Sequence, residues 1–254
     1  MKKAFTIREM IGFLADKNSP TYAHDLTTRA LIGTQYACDA RIGEITRKRI
    51  EYKRVYYQCQ TCYTTHETKR KPESCRNCGG DAMKTKTAPD GFGPILPGIT
   101  WGAFSREYED QGYIEIRVRN LKQNKARENS REDKTIIYPT RWTQKPDLMP
   151  VAQWKDLVRL EQAILETWGE YYEEQARFKR GGEEDELFPF TTDTGRKMIK
   201  RVIGERTHIL RASRATHLSY RMDQSEVQNQ LGHKKADNTA RYIHVFKERI
   251  ISKF

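Results

Sequence analysis

The sequence predicts a mainly helical fold with a small antiparallel β-sheet, interrupted by a small cysteine-bearing ribbon. Three observations carry that reading. From Pro150 onward, Trp154, Leu157, Val158, Ile164, Leu165, Trp168 and Tyr172 recur at the three-to-four spacing of one buried helical face. Between Gly112 and Pro139, Ile114, Ile116 and Val118 alternate with Glu115, Arg117 and Arg119, and Ile136, Ile137 and Tyr138 return after a polar turn, as in a hairpin. Ahead of both, the pairs Cys59-x-x-Cys62 and Cys75-x-x-Cys78 follow an aromatic, strand-like run, Val55, Tyr56 and Tyr57.

The remaining elements follow in order. Phe5 to Gly33 reads as two short helices joined near Asn18-Ser19-Pro20, with apolar positions Ile7, Met10, Ile11 and Leu14, then Leu26, Ala30, Leu31 and Ile32. Helical spacing continues through Arg41-Ile42-Gly43-Glu44-Ile45. A Gly/Pro-rich stretch from Pro89 to Gly98 predicts a connection after the ribbon. The hairpin turn from Asn120 to Lys134 carries Lys122, Lys125, Arg127, Arg131 and Lys134, and reads either as a solvated loop or as a cationic finger shaped to follow a groove. Past the exposed acidic turn at Gly181–Glu186, a helix over about Thr194 to Ile203 ends at Gly204 as a left-handed cap. Three short helices follow, Leu210–Met222, Ser225–Leu231 and Thr239–Glu248.

A chain of 254 residues holds one sizeable core plus a small appended module. The balance of 46 Lys and Arg against 34 Asp and Glu gives a formal charge of +12. That favours a polyanionic partner, because each cation laid on a phosphate releases a condensed counterion. Charge alone also fits a ribosomal or scaffold protein. Its distribution says more: Thr194 to Arg221 carries eight Lys or Arg and one acid, Glu205, so a basic helical face toward DNA is expected. No apolar run is long enough to span a bilayer and no signal-peptide segment opens the chain, so a cytoplasmic protein without a membrane partner is expected. Acidic anchors for two metals are not grouped, and no phosphate loop ending in Gly-Lys-Ser/Thr exists. The chemistry is therefore expected to need neither a catalytic metal nor a nucleotide.

The cysteines form a separate device. Each pair can make a tight turn presenting two thiolates, so Cys59, Cys62, Cys75 and Cys78 supply four soft ligands suited to structural Zn2+. Four thiolates leave no open position for catalysis. Disulfides would require an oxidising compartment, and a redox pair would want a flanking βαβ unit. His66 decorates the ribbon, and Cys38 reads as a buried small residue.

The C-terminal third contains His208-Ile-Leu-Arg211, then Leu231-Gly232-His233, then Thr239-Ala-Arg-Tyr242. Here the chain resembles the tyrosine recombinase (phage integrase) family, whose signature is His-x-x-Arg, Leu-Gly-His and a tyrosine about one short helix later. Ala40-Arg41-Ile42-Gly43-Glu44 resembles the family's first-arginine motif, and the hairpin its catalytic-lysine element. The resemblance runs from about Thr6 to Phe246, apart from the ribbon. It implies a catalytic-domain fold over 1–54 and 89–254 with a zinc ribbon inserted at 55–88. It further implies site-specific recombination of double-stranded DNA and self-association on DNA as a dimer or tetramer. By the same resemblance Arg41, Arg211 and His233 hold the phosphate and Tyr242 attacks it. His208 serves as base, Lys122 (or its neighbour Lys125) as general acid, and Glu44 orients Arg41. Ala212 stands where the family often has a second His. Only about forty residues precede Arg41, so the family's N-terminal DNA-clamping domain is expected to be absent. Phe246, Ile250 and Phe254 form an apolar stripe that docks on a neighbouring protomer or on the chain's own core. Two other functions share these residues: a type IB topoisomerase-like nicking and closing enzyme, and an inactive zinc-ribbon DNA-binding protein.

Overall fold

Helix α1 (Ile7–Leu14) starts at a capping box: Thr6 accepts from the Glu9 amide, and the Glu9 carboxylate takes the Thr6 amide. In this computed structural model, residues 4–67, 71–119, 133–141, 145–146 and 149–231 are described. Asp25 caps α2 (Leu26–Ala37) through the Thr28 amide. A short helix α3 (Ile42–Ile45) follows directly. The two N-terminal helices lie against the long helix α4 (Val151–Arg177), and α2 also meets α5 (Thr192–Ile203) and α6 (His208–Leu218). Helix α5 ends at Gly204 with φ +68°, the left-handed cap the sequence predicts. The last described helix is α7 (Gln224–Leu231).

The chain divides into two units, residues 1–48 with 97–254, and residues 49–96. In the first unit a three-stranded antiparallel sheet has the order β4-β5-β6, from Phe104–Ser105, Tyr113–Val118 and Lys134–Pro139. Ile114 faces Tyr138 and Ile116 faces Ile136, so the alternating apolar residues all point into one core. That core is shared with Leu31, Tyr36, Leu160, Ile164, Trp168 and Leu210. Trp168 donates its indole N–H to Thr34 at 2.8 Å. The fold is thus helix-rich with small antiparallel sheets, as the sequence predicts.

Three expectations shift. On α4 the buried tyrosine is Tyr171, while Tyr172 is 45% exposed. Tyr171 continues the seven-residue repeat of Leu157 and Ile164, whereas Tyr172 lies a further step of about 100° round the helix, off the buried face. Lys134, read as part of the turn, is the first residue of β6. The Gly/Pro-rich stretch after the ribbon is not a connection but the second half of strand β3 (Met83–Leu96). In the second unit the strands β1 (Lys48–Cys59), β2 (Thr65–His66) and β3 have the order β2-β1-β3. Strand β3 lies at the edge, where a proline's missing N–H breaks no ladder.

A candidate phosphate site and a candidate metal centre

The candidate site is built where α2 stops. The amide of Asp39 donates to Tyr36 O at 3.1 Å and that of Ala40 to Gln35 O at 3.2 Å, the paired bonds of a left-handed helix terminus. Asp39 holds the left-handed position itself, at φ 48°. The chain then turns into α3 with Arg41 as its N-cap. Glu44, buried, accepts both from the Arg41 amide at 2.8 Å and from its guanidinium at 2.7 Å. The Arg41 side chain is thereby folded onto its own helix start, at 31% exposure.

Helix α6 brings the second guanidinium. Arg211 is 2% exposed, with ion pairs to Asp39 at 3.8 Å and to Glu44 at 4.0 Å. Glu44 is therefore the joint between Arg41 and Arg211, two residues far apart in sequence. From β6, Lys134 places its ammonium on the carbonyls of Cys38 and Asp39, at 3.0 and 2.9 Å. Burial is the main force pushing its pKa below the usual lysine value. The same burial raises Asp39 to about 6, moderated by Arg211, Lys134 and Arg214 and reinforced by Glu44. Three cations against two carboxylates leave one positive charge in excess, suited to receive a phosphodiester.

One turn further along α6 lies a second cluster. Arg214, also 2% exposed, donates to the fully buried Glu161, which accepts a second guanidinium from Arg221 at 2.8 Å. The Arg214 guanidinium lies 5.3 Å from the ring centres of both Tyr36 and Tyr138. His217 donates through Nε2 to Phe5 O at 3.0 Å and accepts through Nδ1 from the Tyr36 hydroxyl at 2.7 Å. Burial, with Arg214 next, drives its pKa down to about 3, so it stays neutral and packs.

In the ribbon, the sulfurs of Cys59, Cys62, Cys75 and Cys78 lie within 4.8 Å of one another. The Cys59–Cys78 and Cys62–Cys75 separations are 3.6 and 3.5 Å. A tetrahedron of thiolates at zinc has edges of about 3.8 Å, so the donor set fits zinc closely. Polar groups support the sulfurs: Thr64 Oγ1 and the Asn77 amide reach Cys62 at 3.2 and 3.6 Å, and His66 Nε2 reaches Cys75 at 3.2 Å.

Of the residues the sequence points to, Arg41 and Arg211 come together, and His208 opens α6 on an exposed position one turn before Arg211. Lys122, Lys125, His233 and Tyr242 lie outside the described residues, as does the C-terminal stripe. Sequence reasoning missed Asp39 and Lys134. It also read the Thr194–Arg221 stretch as one basic face. Arg196, Lys197, Lys200, Arg201 and Arg206 are exposed, whereas Arg211 and Arg214 are internal. Glu161 left a readable signal: an acid set between Leu160 and Ile164 on an apolar stripe needs a buried cation.

No family model and no curated protein matches the sequence. Solved structures, by contrast, do match the fold. The XerH site-specific recombinase bound to its difH substrate in a pre-cleavage complex is 14% identical, with a TM-score of 0.51 over 99% of this chain and 53% of that one. The post-cleavage complex of XerH with a palindromic difH substrate is also 14% identical, with a TM-score of 0.52 over 99% of this chain and 52% of that one. This chain spans about half the length of those recombinases. No helix among the described residues is long and apolar enough to cross a membrane. The fold is like that of these recombinases, and the likeness is one of architecture.

Proposed function

We propose that this protein is a site-specific DNA recombinase that cuts and rejoins double-stranded DNA through a 3′-phosphotyrosine intermediate on Tyr242. The observation that carries this reading is the meeting of Arg41 and Arg211 at Glu44. Planar, permanently charged guanidinium groups suit a phosphate whose non-bridging oxygens gain charge as the tyrosine attacks. The Tyr242 oxygen forms a bond to phosphorus, the bond to the 5′ oxygen breaks, and that oxygen leaves as a hydroxyl. The phosphoester link keeps the energy for religation. His208 accepts the phenol proton and His233 adds a donor to the phosphate. The general acid is a hairpin lysine: Lys122 by the family resemblance, or Lys134, which the ammonium's place beside Arg211's carboxylate partners favours. On this reading residues 1–54 and 89–254 form the catalytic domain and 55–88 a ribbon held by structural zinc. The active form self-associates on DNA in the cytoplasm.

The test uses duplexes with a randomised central segment and a nick that lets the released strand diffuse away. Wild type accumulates a covalent protein–DNA adduct without ATP or added metal, and Tyr242→Phe accumulates none. Absence of adduct from wild type across that library would sink the proposal. A type IB topoisomerase-like reading shares the chemistry. Exchange between two recovered sites, rather than relaxation alone, separates the two. For the ribbon, one zinc per chain is expected by elemental analysis, lost in Cys59→Ser/Cys62→Ser.

A further inference from the structure

Asp39 stands in three kinds of disfavour at once. It occupies a left-handed helix terminus, a place where glycine is usual and a side chain costs backbone energy. Its negative charge sits at the C-terminal end of α2, where the helix dipole disfavours an anion. The residue is 1% exposed, and neither carboxylate oxygen has a hydrogen bond among the described residues. A glycine or an asparagine would satisfy this turn better on every count. Residues kept against local preference mark places where stability has been exchanged for something else.

What Asp39 does instead is touch two cations of the site. Its backbone carbonyl, with that of Cys38, seats the Lys134 ammonium, and its carboxylate faces the Arg211 guanidinium at 3.8 Å. We infer that Asp39 is a positioning residue, which sets the spacing of Arg211 and Lys134 around the scissile phosphate without touching DNA. This rests on the recombinase reading above. A contact at 3.8 Å without a hydrogen bond acts by charge, so it requires the ionised form. The groups facing Asp39 are Arg211 and Arg214 on α6, Lys134 on β6 and Glu44 on α3. With the carboxyl raised to about 6, the anion is present at pH 8 and largely lost at pH 5.

Two variants test this: Asp39→Asn, which keeps shape and tolerates the left-handed position, and Asp39→Gly, which relieves the backbone. The probe is the duplex that wild type selects from the nicked library. Both variants bind it with wild-type affinity but form adduct more slowly, by on the order of tenfold to a hundredfold. Wild type slows as the pH falls through about 6, and Asp39→Asn shows no such limb. Both variants also melt higher than wild type at pH 8. The raised carboxyl makes its proton stabilising, an effect whole below pH 3.8 and lost as the pH rises through about 6, so the Asp39→Asn advantage is full at pH 8, shrinks as the pH falls through about 6 and vanishes only below pH 3.8. A stabler, slower enzyme is the signature of a positioning role. Variants that are slower and less stable, or unfolded, would place Asp39 in the fold alone and overturn the inference. So would a variant cleaving at the wild-type rate. If wild type itself forms no adduct, the recombinase reading fails and the inference falls with it.

Discussion

Arg211 and Arg214 sit on the same helix, three residues apart and equally buried, yet they live in different chemistries. Arg214 is closed in: it donates directly to Glu161, lies over two tyrosine rings, and shares its acid with Arg221. Arg211 is held by ion pairs of 3.8 and 4.0 Å to carboxylates that also serve other cations. A buried charge in direct hydrogen-bonded contact with its acid is part of the framework. One held at longer range, in a cluster with net positive charge, retains attraction for an incoming anion. The difference teaches that burial by itself does not separate structural from reactive arginines. The length of their ion pairs and the charge balance around them do.

The largest effect should come from breaking the closed cluster. Arg214→Met leaves Glu161 buried with Arg221 alone, and a loss of about 3–5 kcal/mol is expected in denaturant unfolding. A loss under about 1 kcal/mol would erase the distinction drawn here. Arg211→Lys should do the reverse: a fold of near wild-type melting temperature, with adduct formation slowed by about 100-fold to 1000-fold. If Arg211→Lys unfolds and Arg214→Met folds, the two roles are interchanged.

How much of this was legible before the structure depends on the kind of signal. Caps and alternation were: the Gly204 stop and the Ile114–Ile116–Val118 alternation are local rules, and local rules survive into the fold. The two cysteine pairs were legible too, because four thiolates at that spacing have few uses. The pairing of Arg41 with Arg211 was reached through the family resemblance, not through any local rule. Lys134 was misread because a lysine opening a strand looks the same whether its stem runs outward or back onto a helix end. Asp39 was invisible because the helix ends there without the glycine that announces such an ending.

Smaller effects grade the comparison further. His217 belongs to the closed cluster through Tyr36 and is held neutral, its pKa lowered from 6.5 to about 3. Unfolding frees it to take a proton, so its contribution is whole above pH 6.5 and drains as the pH falls toward about 3. Between pH 6.5 and 5 this term costs on the order of 2 kcal/mol, and His217→Phe should remove that part of the acid sensitivity. At the bottom of the scale, Arg8 pairs with Asp156 at 2.9 Å across α1 and α4 with its own side chain 80% exposed. Arg8→Ala should change stability by no more than about 0.5 kcal/mol, less at high salt. A larger change would mean that exposure is a poor guide to the worth of a charge pair in this protein.

The ribbon's ends carry a consequence of their own. The chain departs after Ile45 and Lys48, and on its return the Ile99 amide donates to the Ile45 carbonyl at 3.1 Å. Gly98 comes so near that a Cβ there would lie 2.6 Å from that same carbonyl oxygen. Exit and re-entry therefore share one doorway, sealed by a glycine. Any excursion whose ends meet that doorway satisfies the first unit equally well, whether a bare hairpin or a different module. Lengthening such an excursion costs closure entropy only logarithmically. The insertion point is thus a socket, at which new recognition surfaces can be exchanged without disturbing the arginines that α3 and α6 bring together.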